Sequence, residues 1–315
     1  MSLIYIVSKQ FESGLGEDFK VLQKTLYDYK CVRLTGYEDN LENSGVKIFL
    51  EHIQEDWFKI PSDRTFYIPN IEMTTDWDIK LMKRVDAVLC KNNISFDKIK
   101  HPNKKLIKFT SICPEKITEQ DLNYVGHFAG TSKFKNTLDV LKFWLKCNFN
   151  KTLIVTVHNT NKKVWKFFNA FNPTEHDEFF ERKIKHYSFK NVKMFDYIPF
   201  EDYQFLYGVA GYHIQPSVWE GYGHIINRGR CSGGLVITID AAPINELITQ
   251  TECLIPVNRK TNGKKAFTYK YAKPLIKQSF IGYSDFKQTL TAVFKSKKYK
   301  ELVSSQYDQY LYDSN

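Results

Sequence analysis

Short apolar runs alternate with amphipathic stretches along the first third of the chain. Five apolar runs predict buried strands: "LIYIVS" (3–8), "KIFLEHI" (47–53), "TFYIPN" (65–70), "DAVLCKN" (86–92) and "KLIKFTSI" (105–112). Two stretches between them have helical spacing: "EDFKVLQKTLYDY" (17–29) and "DWDIKLMKRV" (76–85). Strands that alternate with helices indicate βαβ units and a parallel sheet.

The same pattern restarts after "CPEKITEQDL" (113–122), a polar stretch with a proline that we interpret as a linker. The predicted strands of this second series are "YVGHFAG" (124–130), "KTLIVTVHN" (151–159), "VKMFDYI" (192–198), "YHIQPS" (212–217) and "LVITID" (235–240). The predicted helices are "NTLDVLKFWLKC" (136–147), a charged stretch near 160–190, "EDYQFLYGVA" (201–210) and much of the last forty residues. The pattern therefore predicts two α/β domains, 1–112 and 123–280, followed by helices over 281–315.

Length and composition agree with a globular protein of two domains. The chain has 315 residues, which suits two domains of about 150 each. It contains no apolar run of about 18 residues, so we expect no transmembrane segment. The start, "MSLIYIVSKQF", lacks a basic region and a cleavage site, so a first strand and a cytoplasmic location are expected rather than a signal peptide. Six cysteines without a CxxC pair argue against a disulfide framework or a zinc site.

The net charge of +10 permits nucleic acid, an anionic membrane or phosphorylated ligands as partners. The basic residues are scattered, apart from "KSKKYK" (295–300). Nucleic-acid binding therefore remains an alternative function that rests on charge alone.

The stretch "SVWEGYGHIINRGRCSGG" (217–234) follows a predicted strand and leads into a predicted helix that starts at His224. Its glycines allow the backbone to approach an anion closely, and the first turn of a helix presents free N–H groups. A carboxylate at Glu220 can accept hydrogen bonds from ligand hydroxyls. The pattern fits a diphosphate at the helix start with a polyol beside Glu220. A tight turn with an ordinary helix start is the alternative.

Three further runs follow strand ends, where α/β proteins bind ligands. In "FAGTSKFKNT" (128–137), Lys133 and Lys135 are either phosphate ligands or solvated loop lysines. "GLGEDF" (14–19) lacks the last glycine of the GxGxxG fingerprint and allows only a close backbone approach. "DAAPINELI" (240–248) places Glu246 in a loop or a helix cap.

The triplet "DWD" (76–78) has the shape of a metal-binding DxD motif. It lies at a predicted helix start, where acidic residues interact favourably with the helix dipole. The histidines His127, His158, His213 and His224 show no i, i+4 spacing. We therefore predict no metal site, and we expect hydrogen-bonded structural histidines.

In this order, the runs together resemble the retaining glycosyltransferases of the GT-B fold and are similar to family 4. The resemblance spans both halves and is strongest from 124 to 248. "FAGTSKFKNTLDVLKFW" resembles the family's Gly-x-Ser-x-x-Lys-Asn-Thr segment, and "VKMFDYIPFEDYQFLYGVAGYHIQPSVWEGYGH" resembles the stretch from the nucleobase contact to the donor loop. "GGLVITIDAAPINELI" resembles the last strand and loop, and "GLGED" with "YIPNIE…DAVLCKN" resembles the acceptor-side domain. This implies two Rossmann-like domains that face a cleft, with a C-terminal helix that crosses back to the first.

The resemblance also implies roles for individual residues. Glu220 would be the catalytic residue and would bind sugar hydroxyls, and Lys135 would hold the donor diphosphate. The implied donor-binding residues are Ser132, Lys133, Lys135, Tyr197, Ile198, Gly221, Tyr222, Gly223, His224, Ile225, Arg228 and Glu246. The N-terminal side of the cleft would hold Gly14, Gly16, Asn70 and Glu72. The implied enzyme needs no metal or cofactor and transfers sugar from a nucleotide-diphosphate sugar to a glycan or another acceptor.

Two positions depart from the family pattern. The family spaces two glutamates as Glu-x7-Glu, which places Arg228 where the second glutamate contacts ribose. A guanidinium cannot accept hydrogen bonds from ribose hydroxyls. Thr131 stands where many relatives carry a basic residue. The alternatives are a changed donor geometry, substitution by Glu246, or a weak or silent protein that binds a nucleotide sugar or a glycan.

Overall fold

The computed structural model describes residues 2–11, 13–112, 119–261 and 275–314. Contacts divide the chain into two units. The first consists of Met1–Ile112, Thr261–Gln278 and Asp313–Asn315, and the second of Cys113–Lys260 and Ser279–Tyr312. Of the predicted linker, 113–118 lies outside the described residues, and the next strand begins at Asp121.

The first unit contains a parallel sheet. Its strands are β1 (Leu3–Val7), β2 (Lys30–Leu34), β3 (Ser44–Glu51), β4 (Ser62–Pro69), β5 (Ala87–Cys90) and β6 (Lys104–Leu106), in the order β2-β1-β3-β4-β5-β6. Its described helices are α1 (Ser13–Thr25), α2 (Asp76–Leu81) and α3 (Asn93–Lys98). All strand pairs of this sheet are parallel, as the alternating pattern predicts.

The first unit differs from the sequence interpretation in three places. The edge strand β2 was missed because its sequence, "KCVRL", mixes charged and apolar residues and stays partly exposed. The strand expected over 105–112 is only Lys104–Leu106, with two exposed residues. Helix α1 begins at Ser13, so Gly14 and Gly16 lie in its first turn and not in a loop before it.

The second unit is built on a mixed sheet. Its strands are β7 (Asp121–Gly130), β8 (Thr152–Val157), β9 (Thr174–His176), β10 (His186–Phe189), β11 (Val192–Phe195), β12 (Ala210–Ile214), β13 (Leu235–Ile239) and β14 (Leu254–Ile255). The order is β14-β13-β12-β7-β8-β11-β10-β9. The described helices are α4 (Thr137–Cys147), α5 (Lys162–Asn169), α6 (Phe200–Val209), α7 (His224–Ser232), α8 (Tyr283–Lys295) and α9 (Tyr299–Ser314). Strands β15 (Val257–Thr261) and β16 (Gln278–Ile281) form a separate pair.

The helix predicted near 160–190 is correct only for α5, which ends at Asn169. Strands β9 and β10 follow, and β10 extends the sheet antiparallel to β11. The rings of Phe179 and His186 pack on the ring of Phe195 in β11. Their centroids lie 5.3 and 5.1 Å, respectively, from the centroid of Phe195. Burial of these rings in the core outweighs the helical composition of the segment, because sheet pairing depends on distant partners.

Helices α8 and α9 belong to the second unit up to Tyr312, whereas Asp313–Asn315 are grouped with the first unit. The packing of 281–315 on the N-terminal domain stays a prediction. Phe286 of α8 is fully buried, with its ring 5.5 Å from that of Phe143. On α9, the Gln306 amide exchanges two 2.9 Å hydrogen bonds with the backbone of Val236 in β13. These buried contacts hold both helices on the second sheet. Within the described ranges, no helix has the length and apolar character required to cross a bilayer.

Candidate functional site

The loop after β7 forms one half of the candidate site. It begins at Gly130, which has a positive φ of 56°. The Ser132 side chain then accepts a 3.3 Å hydrogen bond from Phe134 N, which caps a 3₁₀ turn over Lys133–Lys135. Asn136, with φ of 62°, turns the chain into α4. This backbone places Lys135 just before a helix, at the carboxyl edge of the parallel strands.

The loop after the neighbouring strand β12 forms the other half. It carries Glu220 and ends at Gly223, the N-cap of α7, as the predicted helix start at His224 requires. Gly223 has φ of 107°, and a Cβ there would lie 2.9 Å from Cδ1 of Leu247. Both its conformation and its surroundings therefore require glycine.

The two loops are joined by a backbone hydrogen bond, a contact between aromatic rings and an ion pair. Val218 N donates a 2.8 Å hydrogen bond to Phe134 O, and the rings of Phe134 and Trp219 meet edge to face with centroids 5.3 Å apart. Beyond them, Lys135 Nζ pairs with Glu220 Oε2. The two side chains are only 14% and 16% exposed. The structure thus brings together two charged residues that are separated by 85 positions in the sequence.

Glu220 lies in the loop that leads into the N-terminus of α7, where the dipole and the first amides favour negative charge, and Lys135 reaches it from the loop after β7. His224 and Ile225 occupy that first turn and are half-buried. Gly221 and Tyr222 before them are buried, with the Tyr222 ring 5.2 Å from that of His224. A lysine and a helix start suit an anion such as a diphosphate, and the adjacent carboxylate suits a hydroxyl group.

Arg228 lies on α7, half-buried and close to the phenol of Tyr207. Burial raises the pKa of Tyr207 well above its usual value, and the charge of Arg228 offsets only part of this rise. The neutral Tyr207 hydroxyl donates a 3.2 Å hydrogen bond to Ile225 O. Arg228 therefore places a positive charge beside the first turns of α7.

Tyr197, Ile198 and Glu246 follow the ends of β11 and β13. The Tyr197 side chain is 79% exposed, whereas Ile198 packs against the core. A second ring, Phe200, is 56% exposed at the start of α6 and was missed, because its sequence resembles an ordinary helix start. Glu246 is half-buried in a 3₁₀ turn, and its carbonyl accepts a 3.2 Å hydrogen bond from Gln309 Nε2.

In the first unit, Asn70 belongs to a chain of polar contacts at the carboxyl ends of β3, β4 and β5. Lys91 Nζ donates to Asp18 Oδ2 at 2.8 Å and to Asn70 Oδ1 at 2.6 Å. Asn70 Nδ2 donates in turn to Glu51 Oε2 at 2.8 Å. Asp18 lies two residues beyond Gly16 on α1, so α1 meets these strand ends. The buried Lys91–Asp18 pair was missed, since 73 residues separate its members.

The other residues predicted for a site in the first unit are Glu72, Gly14 and Gly16. Glu72 is half-buried in the turn after β4. A Cβ on Gly16 would lie 2.5 Å from Phe11 O, whereas nothing lies within 4 Å of one on Gly14. Close packing against Phe11 thus accounts for glycine at position 16.

Asp78 of the "DWD" triplet is part of a helix cap. It forms a capping box with Thr75, and its carboxylate also accepts hydrogen bonds from Ile53 N at 2.8 Å and from His52 Nδ1 at 2.9 Å. Burial acts to raise the pKa of Asp78, but the hydrogen bond and charge of His52 help to bring it below its usual value. Among the described residues, no group of three His, Cys, Asp or Glu side chains is placed to hold a metal ion.

Substitution of Gly223 by alanine is expected to lower the free energy of unfolding by about 1–3 kcal/mol, the usual cost of a strained left-handed residue. The added methyl group must also displace Leu247. Chemical denaturation measures the change, with Gly14→Ala as the control at the start of another helix, where a Cβ has free space. Equal stability of Gly223→Ala and the parent would contradict the strained cap.

No protein-family model matches the sequence, and no curated protein matches it. Solved structures do match over the whole chain. A glycosyltransferase from Rickettsia africae is 11% identical, with a TM-score of 0.66 and 94% of its chain covered. Sucrose-phosphate synthase from Thermosynechococcus elongatus is 8% identical, with a TM-score of 0.67 and 95% covered. Anabaena HepE, solved in complex with UDP and glucose, is 11% identical, with a TM-score of 0.61 and 95% covered. The chain therefore has the GT-B fold of two Rossmann-like domains, which structures of glycosyltransferases share with it.

Proposed function

We propose that this protein is a glycosyltransferase that moves a sugar from a nucleotide-diphosphate sugar to an acceptor hydroxyl. The observation that carries the proposal is the Lys135–Glu220 pair in the loops beside the start of α7. A nucleotide-diphosphate sugar carries a diphosphate next to a polyol. The lysine suits the diphosphate, and the carboxylate beside it suits the sugar hydroxyls. The fold, shared with glycosyltransferases, supports the same conclusion.

The donor is held mainly by the second unit. Lys135 and the amides of Gly223, His224 and Ile225 bind the diphosphate, with Ser132 and Lys133 in support. Glu220 accepts hydrogen bonds from sugar hydroxyls. Tyr197 and Ile198 flank the base, and the exposed Phe200 ring adds a second apolar surface there.

During transfer, the bond between the anomeric carbon and the diphosphate oxygen breaks as the acceptor oxygen forms a bond to that carbon. The negative charge that develops on the leaving diphosphate is stabilised by Lys135 and the α7 dipole. The proton of the acceptor hydroxyl passes to the leaving phosphate oxygen. Because lysine and the helix start supply the positive charge, the proposed reaction needs no metal ion. Retention of configuration is proposed from the resemblance to family 4.

The acceptor is a glycan or another hydroxyl compound, and we assign its binding to the first unit. Gly14, Gly16, Asn70 and Glu72 are the proposed contacts on that side. Asn70 is held by Lys91 and Glu51, so its amide is oriented for a ligand at the carboxyl edge of the sheet.

The test is a panel of UDP-, GDP- and ADP-sugars incubated with the protein, with nucleoside diphosphate release as the measured product. We expect release with at least one donor and, with an acceptor, a product whose anomeric configuration equals that of the donor by NMR. Neither binding nor release with any donor would contradict the proposal. Binding without release would favour the second candidate, a donor-binding protein without turnover, which Arg228 supports.

Arg228→Glu restores the second glutamate of the family spacing. We expect tighter nucleotide-sugar binding by about 1–2 kcal/mol, because a carboxylate can accept from ribose hydroxyls whereas a guanidinium cannot. Calorimetry on the parent and the variant measures the change, and circular dichroism confirms folding. Weaker binding by a folded variant would show that Arg228 itself contacts the donor, and this would change the assigned donor geometry.

A further inference from the structure

His127 of β7 is fully buried in the second unit, and both of its ring nitrogens have hydrogen-bond partners. Nδ1 lies 2.8 Å from Ile214 O, the carbonyl of the last residue of β12. Nε2 lies 2.9 Å from the hydroxyl of Thr137, the first residue of α4. The ring therefore joins three elements of the second unit.

The partners fix the protonation of this ring. A backbone carbonyl only accepts hydrogen bonds, so Nδ1 carries the proton and Nε2 accepts from the Thr137 hydroxyl. Burial, together with the nearby charge of Lys135, lowers the pKa of His127 to about 4, although the bond to Ile214 opposes this shift. The ring is therefore neutral at physiological pH, and both hydrogen bonds persist across that range.

The two partners of His127 lead directly into the two site loops. Thr137 follows Lys135 by two residues, and Ile214 begins the path that reaches Glu220 six residues later. A displacement of α4 relative to β12 would therefore change the separation between Lys135 and Glu220.

We propose that His127 is a positioning residue of the donor site, which sets the distance between the Lys135 loop and the Glu220 loop by tying Thr137 to Ile214. The inference rests on the proposed function for its consequence, because the proposed nucleotide sugar is bound by residues of both loops. The distance itself can be tested without any ligand.

The ligand-independent test is a double-mutant cycle of Lys135→Met and Glu220→Gln, measured by chemical denaturation. The cycle is run in the parent, in Thr137→Val and Thr137→Ser, and in His127→Asn. Valine removes the hydroxyl at nearly constant volume, whereas serine keeps it. His186→Asn is the matched control, because His186 is also buried, with its nitrogens near a carbonyl and a side chain.

We expect Thr137→Val and His127→Asn to reduce the Lys135–Glu220 coupling, expressed as a ratio of unfolding constants, by about threefold or more. Thr137→Ser should restore most of it, and His186→Asn should leave it in place. A coupling that survives Thr137→Val, or that falls equally in His186→Asn, would overturn the positioning role.

The second arm measures UDP affinity in the same variants by calorimetry. We expect Thr137→Val to weaken UDP binding by about threefold to tenfold, because the loop that carries Lys135 is no longer held in position, and Thr137→Ser to restore it. One outcome is that the parent binds no UDP while the Lys135–Glu220 coupling still depends on Thr137. That result contradicts UDP as the donor nucleotide but supports the positioning role of His127. If UDP binds but the Lys135–Glu220 coupling does not depend on Thr137, the positioning role of His127 is wrong and the proposed function is unaffected.

Discussion

Replacement of Glu220 by glutamine is expected to lower turnover by about 10²-fold or more, as when other groups that stabilise transition-state charge are removed. The variant keeps the shape of the side chain but loses the charge that stabilises an oxocarbenium-like sugar. Donor affinity is expected to stay equal or to increase, because Lys135 no longer has a carboxylate partner that competes with the diphosphate.

The measurement compares the maximal rate and the donor dissociation constant of Glu220→Gln with those of the parent. Glu252→Gln serves as the control, because Glu252 is an exposed carboxylate in another turn of the same unit. Equal turnover in parent and Glu220→Gln would remove Glu220 from the reaction. A loss of affinity without a loss of rate would assign it to binding alone.

Replacement of Lys135 by methionine is expected to weaken donor binding by roughly tenfold to a hundredfold. The variant removes a charge-assisted hydrogen bond to the diphosphate, which contributes about 1.5–3 kcal/mol. The side chain is mostly buried beside Glu220, so its charge lies within the site and not on the open surface.

Calorimetry with the preferred nucleotide sugar measures this loss, and Lys142→Met is the matched control. Lys142 is exposed on α4, the helix that follows Lys135, so its removal changes net charge equally but leaves the site intact. If both variants lose the same affinity, the effect of Lys135 is one of net charge, and the diphosphate site is assigned wrongly.

Most of the parallel strands could be predicted from sequence because they are short apolar runs buried on both faces. Ile4, Tyr5, Ile6 and Val7 of β1, for example, are all buried. The helix start at His224 could be predicted because glycine, a strand end and helical spacing are local signals. The hairpin of β9 and β10 could not, because its structure depends on β11, a partner that the local pattern does not specify.

The sequence motifs name candidate site residues, but they carry no signal for the contacts that these residues make. The Glu220 carboxylate pairs with Lys135, a contact that the sequence analysis did not predict. Pairs such as Lys91 with Asp18 join residues far apart in the sequence, and spacing carries no signal for them. His127 resembled any buried histidine, and only the positions of Ile214 and Thr137 give it a role.

The most direct test of the donor site is a crystal structure of the protein with a bound nucleoside diphosphate, UDP first. We predict that the diphosphate lies within hydrogen-bond distance of Lys135 Nζ and of the first amides of α7, and that Lys135 no longer pairs with Glu220. A nucleotide bound elsewhere, or bound with the Lys135–Glu220 pair intact and no phosphate oxygen near α7, would contradict the proposed function.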